Sequence, residues 1–170
     1  MTVCFIGHRT IENAEILKKD LIKLIFELIK KGTDTFLFGS KSEFDSLCYE
    51  AVSKAQQKYP YIKKIYIRSA YPHIDKIYEK HLSCFYEETY FPDKIKNAGK
   101  ASYIERNQEM INKSDICVFY YNKDYLPPPQ KESKHALSSN QPNSGTKIAY
   151  NYAVKKKKQI LNMVCYYPKT

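Results

Sequence analysis

Val3-Cys4-Phe5-Ile6-Gly7 decides the reading of this chain: four apolar residues stopped by a glycine, too short a run for a helix and suited to a buried strand. Over 11–31, apolar residues recur at Leu17, Leu21, Leu24 and Leu28, with Ile25 and Ile29 beside them and lysines opposite; Gly32 follows. That spacing predicts an amphipathic helix ended by a C-terminal glycine. Thr35-Phe36-Leu37-Phe38 repeats the strand pattern and Gly39-Ser40 turns. Phe44, Leu47, Cys48, Ala51, Val52 and Ala55 then trace a second helical stripe. Strand, turn and helix have occurred twice, and 62–67, rich in β-branched and aromatic residues, predicts a third strand.

A short helix is expected over 74–82. The stretch 83–100 has neither helical nor strand period and is read as an insertion. A helix over about 102–113 leads into Ile116-Cys117-Val118-Phe119-Tyr120-Tyr121, the longest apolar run and the expected central strand. The proline- and serine-rich stretch 122–143 is expected to form a lid-like loop, because long irregular segments inside compact domains usually serve a site. A helix over 145–157 and a strand over 159–164 close the unit. Alternation at these lengths predicts the α/β class: one Rossmann-like, doubly wound, mostly parallel sheet of about five strands with flanking helices, as a single domain over 1–170.

With 170 residues, 43% hydrophobic and 27% charged, the chain can bury a core, which excludes a wholly disordered protein. No apolar run approaches the roughly 18 to 20 residues of a bilayer span, and the N-terminus carries no export signal, so a cytoplasmic protein without membrane partners is expected. The cysteines at 4, 48, 84, 117 and 165 are odd in number and form no Cys-x-x-Cys pair. Free buried thiols are expected, with no metal site. The formal charge of +10 invites a nucleic-acid partner, but Arg9, Arg68 and Arg106 are the three arginines and the rest of the 28 basic residues are lysine. Bidentate phosphate forks and base readout favour arginine, which weakens the invitation. Lys155-Lys156-Lys157-Lys158 suits the negative end of the last helix.

In an open parallel sheet the ligand crevice lies beyond the carboxyl ends of the strands. Gly7-His8-Arg9, Gly39-Ser40 and Tyr121-Asn122 fall there, and Ser144-Gly145-Thr146 starts the last helix. Gly145-Thr146 can seat a phosphate on unpaired N–H groups, with the threonine hydroxyl as a further donor; Ser144 can equally be a plain N-cap. A scarce arginine, Arg9, stands at the crevice.

Cys4-Phe5-Ile6-Gly7-His8-Arg9, Glu105-Arg106-Asn107 with Met110, Ser114-Asp115, and Ser144-Gly145-Thr146 with Ala149, Tyr150 and Ala153 resemble the SLOG superfamily over nearly the whole chain. The resemblance implies a Rossmann-like fold and a nucleotide-like ligand. The superfamily also includes cytokinin-activating phosphoribohydrolases and the DNA-processing protein of natural transformation. In the hydrolases a catalytic glutamate stands three positions after Gly-Thr. Here that position is Ala149, so the resemblance implies binding rather than turnover. Arg106 resembles the arginine those enzymes hold near the phosphate. Gly39 and Asp45 match the turn after the second strand, where Glu43 replaces a common glycine; Asp45 or Glu43 can engage a ribose hydroxyl, or simply charge the start of the second helix.

Alternatives stay open. Glu87 or Glu88, between Tyr86 and Tyr90, can supply a nucleophile for glycosidic chemistry or form a solvated acidic loop. His8 can act as a base, although stacking or hydrogen bonding suits it better. Tyr120, Tyr121 and Tyr125 can stack on a base. The expected function is binding of a nucleotide or NAD-derived molecule of ADP-ribose type, as sensor or sequestering protein, with no required cofactor and a second copy of the chain as partner. The runners-up are an N-glycosidic hydrolase or transferase and a single-stranded nucleic-acid binder.

Overall fold

The computed structural model describes residues 1–70, 73–95, 99–125 and 144–166. Chain order is β1 (Thr2–Gly7), α1 (Ala14–Lys30), β2 (Thr35–Phe38), α2 (Glu43–Gln56), β3 (Lys63–Ile67), α3 (Lys76–Ser83), β4 (Glu88–Tyr90), α4 (Ser102–Lys113), β5 (Ile116–Tyr120), α5 (Gly145–Lys155) and β6 (Gln159–Asn162). The strands form one sheet in the order β4-β3-β2-β1-β5-β6, and all five pairings are parallel. This is a Rossmann-like α/β fold, with six strands and five flanking helices among the described residues.

Alternation along the strands divides the core between two faces. Val3 and Phe5 of β1, Phe36 and Phe38 of β2 and Val118 of β5 pack against α1 and α2. Cys4, Ile6, Leu37, Cys117 and Phe119, one residue out of phase, meet α4 and α5 through Met110, Ile111, Ala149 and Ala153. In α1 the stripe Leu17, Leu21, Leu24, Ile25, Leu28 and Ile29 is buried as its spacing requires; each such side chain contributes roughly 1.5–3 kcal/mol on burial. The helix ends in a Schellman arrangement: Thr33 N–H donates to the Leu28 carbonyl and Gly32 N–H to that of Ile29, with Gly32 at φ +94°.

The stretch 83–100 is not a bare insertion. It holds β4, paired in register Ile65↔Glu88 to Ile67↔Tyr90, which raises the sheet from about five strands to six. Glu88-Thr89-Tyr90 is three residues long, lies at a sheet edge and has no fully buried side chain. Such a strand leaves no apolar run in the sequence. The last strand stops at Asn162, and a 3-10 turn follows over Met163–Tyr166. Cys4, Cys48 and Cys117 are buried, but Cys84 is exposed in the cap of α3. Of the expected lid over 122–143, all but 122–125 lies outside the described residues. Among the described residues no helix is long and apolar enough to cross a membrane, and no group of three or more His, Cys, Asp or Glu side chains could hold a metal ion.

Candidate functional site

From β1 the chain builds outward through β2, β3 and β4 on one side, then returns to place β5 and β6 on the other. The carboxyl ends of β1 and β5 therefore flank the topological switch point, where ligands of such sheets bind. Gly7 ends β1 there because nothing larger fits: an added Cβ would stand 2.4 Å from the ring of Phe44, which is itself fully buried.

His8 follows and is 2% exposed. Its Nε2 lies 3.0 Å from the Asn122 amide nitrogen and 3.1 Å from the Asn122 carbonyl oxygen. The ring stacks on Tyr125 with centroids 3.8 Å apart, and the Tyr125 hydroxyl lies 3.1 Å from Thr10 Oγ1. Burial lowers the His8 pKa, partly offset by the Asn122 backbone, so the imidazole is neutral near pH 7. Nδ1 is buried without a hydrogen-bond partner among the described residues. It is a donor if Nε2 accepts the Asn122 amide and an acceptor if Nε2 donates to the Asn122 carbonyl.

Arg9 is exposed, and among the described residues its guanidinium has no ion-pair partner. Its carbonyl accepts the Glu43 amide at 3.0 Å, and the Glu43 carboxylate accepts the Ile11 amide at 2.9 Å. Glu43 thus clasps the loop after β1 to the start of α2. That bond commits one of its carboxylate oxygens to the backbone rather than to a ribose.

At the end of β2, Ser42 caps α2 by accepting the Asp45 amide at 3.1 Å, and the Ser40 amide donates to Asp45 Oδ1 at 3.4 Å. Asp45 is 4% exposed. Burial pushes its carboxyl up to about 7, against the pull of Arg106 and of the Ser40 and Gly39 amides. Arg106 comes from α4 and is also buried. Its Nη1 donates to the Gly39 carbonyl and its Nε to Asn107 Oδ1 at 3.0 Å. Burial holds Arg106 below the usual arginine range, while Asp45 and Tyr66 act the other way. A Cβ on Gly39 would stand 2.5 Å from Arg106 Cδ, so glycine is what lets the arginine lie under β2. Asp45, Ser40, Lys41, Tyr49, Phe85 and Tyr86 line a depression of about 450 Å³.

The first turn of α5 completes the switch point. Ser144 is its N-cap, accepting the Lys147 amide at 3.2 Å. Thr146 is buried, and its hydroxyl donates to the Gly7 carbonyl at 3.0 Å, so that proton holds α5 to β1 and is not free for a phosphate. A Cβ on Gly145 would meet the Tyr103 ring at 3.3 Å. Ala149, one turn on, is fully buried in the core.

Glu87 and Glu88 lie elsewhere. Glu87 accepts the Lys64 amide at 2.6 Å and Gln56 Nε2 at 2.9 Å, and Glu88 pairs with Lys63 at 2.9 Å. All of this is at the starts of β3 and β4, the end of the sheet opposite the crevice. The structure therefore brings Gly7, His8, Arg9, Asn122, Ser144, Gly145 and Thr146 together at the switch point. Gly39, Ser40, Asp45 and Arg106 meet at the adjoining end of β2, and Glu43 joins the two loops. Ser42 and Tyr103 escaped the sequence reading, although Ser42-Glu43-Phe44-Asp45 carries the capping-box pattern that announces a helix start.

The family model described as the YspA SLOG family matches residues 6–158. The chain belongs to the SLOG family. That match runs from the last two residues of β1 past the end of α5 and includes every residue of the switch point and of the Asp45–Arg106 cluster. No curated protein matches the chain. SLOG membership points to nucleotide-related binding or processing in general.

Proposed function

We propose that this SLOG protein binds a small nucleotide derivative of ADP-ribose type across the carboxyl ends of β1, β2 and β5. The carrying observation is the apposition of two groups suited to an anion. Thr146 ties the first turn of α5 to Gly7, two residues before Arg9, whose exposed guanidinium has no ion pair among the described residues. Helix N–H groups and an arginine at the same end of the sheet are the combination phosphate recognition uses. Asp45 and Ser40, at the end of β2, supply groups for a ribose. Sensing or sequestering a signal nucleotide is the role this reading favours.

Calorimetric titration with ADP-ribose, NAD and AMP tests it. Arg9→Ala removes a charge-assisted hydrogen bond of roughly 1.5–3 kcal/mol, so affinity should fall about ten- to hundredfold with folding intact. Unchanged affinity in Arg9→Ala would sink the proposed pose. One observation favours a second reading, N-glycosidic cleavage: Asp45 lines the depression and its carboxyl titrates at about 7, suited to proton exchange near neutrality. Release of free adenine from AMP, lost in Asp45→Asn, would promote that reading over plain binding.

A further inference from the structure

We infer that the end of the molecule opposite the crevice is a docking face for the phosphate backbone of double-stranded nucleic acid, read without base specificity. The inference stands independently of the proposed ligand. Every strand is parallel, so the helices that return the chain all run the other way, and their C-termini gather where the strands begin. Lysines occupy those last turns: Lys30 in α1, Lys54 in α2, Lys113 in α4 and Lys155 in α5. Lys58 follows α2, and Lys156 and Lys157 follow α5; all three are exposed. Each is a favourable placement against its own helix dipole, but in a parallel α/β fold the placements add on one pole instead of cancelling.

Acidic groups are sorted the opposite way. Glu15, Glu43, Asp45, Glu79 and Glu105 occupy first turns at the crevice pole. Most of those at the basic pole are engaged: Asp34 with the N-terminal ammonium at 3.4 Å, Asp115 with the Thr2 amide at 2.8 Å, Glu109 with Lys113 at 3.6 Å, Glu87 and Glu88 as described above; Glu27 is exposed and has no ion pair among the described residues. Lys30, Lys54, Lys58, Lys155, Lys156 and Lys157 have no ion pair among the described residues. Among the described residues, unpaired lysines therefore outnumber unpaired carboxylates on this pole.

Charge pattern and breadth select the partner. Arg9 and Arg68 follow β1 and β3, and Arg106 lies under Gly39, so all three arginines are at the crevice pole. The opposite pole offers only ammonium point charges, which bind phosphate without reading base edges. Six strands at about 4.8 Å give an edge roughly 24 Å wide, opposite about 14 phosphate charges of a duplex. The lysines surround this edge on both helical layers. Its exposed apolar side chains, Met1, Tyr61, Phe85 and Val154, come from four separate segments, which does not suit insertion into a membrane.

The test is fluorescence anisotropy of a labelled duplex of about 20 base pairs, with the full chain, at salt from about 25 to 200 mM. Wild type should bind with a steep negative salt dependence. Lys155→Glu/Lys156→Glu should lower affinity about tenfold or more at 50 mM salt and reduce the log–log slope by about 2. Lys155→Gln/Lys156→Gln, gentler on the helix end, should give a smaller loss in the same direction. Lys19→Glu/Lys76→Glu, with the same charge change at the crevice pole, should stay within about threefold. Absence of duplex binding at the lowest salt, equal losses from the two glutamate pairs, or capture by phosphatidylserine vesicles in preference to the duplex would each overturn the assignment.

Discussion

Asp45→Asn should alter how stability depends on pH, and its sign follows from burial. In the folded chain burial raises the Asp45 carboxyl from 3.8 to about 7, with Arg106 and the Ser40 and Gly39 amides opposing. Between those two values the folded state holds a proton that the unfolded chain has released. Stability therefore falls as pH rises through this window and is regained on acidification. At roughly 1.4 kcal/mol per pH unit the rise corresponds to about 4 kcal/mol of stability, fully lost above pH 7. Asparagine matches the protonated side chain in shape and does not titrate. The two proteins should thus unfold alike near pH 4, and Asp45→Asn should be the more stable by about 4 kcal/mol near pH 8. Urea unfolding at half-unit intervals measures this. His8, whose buried ring has a lowered pKa and so loses stability on acidification, is common to both proteins and cancels in the difference. A difference independent of pH, or one favouring wild type at pH 8, would refute the assignment of Asp45 as a carboxyl neutralised by burial.

Gly7→Ala should destabilise the fold by about 1–3 kcal/mol, because its Cβ would stand 2.4 Å from the fully buried Phe44 ring; the urea midpoint should drop with an unchanged slope. Glu87→Ala should cost about 1–2 kcal/mol and speed hydrogen exchange of the Lys64 amide, which it leaves without its acceptor, while small-ligand affinity stays the same. Loss of affinity or turnover in that variant would restore Glu87 to the active-site candidates.

Strands β1, β2 and β5 are legible in the sequence because a strand buried on both faces must be apolar at every position, which a four- or five-residue run records directly. The α1 stripe is legible for the corresponding reason at helical period. β4 is not: an edge strand needs only one paired side and little burial, so Glu88-Thr89-Tyr90 is specified by backbone pairing to Ile65–Ile67 rather than by its own side chains. At the site, position was legible and commitment was not. The sequence places Thr146 and Glu43 at the crevice, but only the tertiary structure reveals that one donates to Gly7 and the other accepts from Ile11. Arg106 shows the same limit. Its place on α4 follows from the helical pattern, whereas its burial beneath Gly39 depends on a contact 67 residues away in sequence.

These commitments divide the candidate site residues into two sets. Gly7, Glu43, Ser144, Thr146 and Arg106 all close junctions between a strand end and a helix start, by steric fit against Phe44, by capping, or by a hydrogen bond to a strand-end or loop backbone group. Helix N-termini and strand carboxyl ends leave backbone donors and acceptors unpaired at the same pole, so side chains that pair them are needed whatever ligand is bound. Arg9 and the Nδ1 of His8 are not spent in this way, one an exposed cation and the other a buried group, neither with a partner among the described residues; Asp45 accepts the Ser40 amide through Oδ1, and burial pushes its carboxyl up to about 7. The first set fixes the shape of the crevice. The second set is open to a ligand, so under the proposed function ligand choice should follow Arg9, His8 and Asp45 rather than Gly7, Ser144 and Thr146.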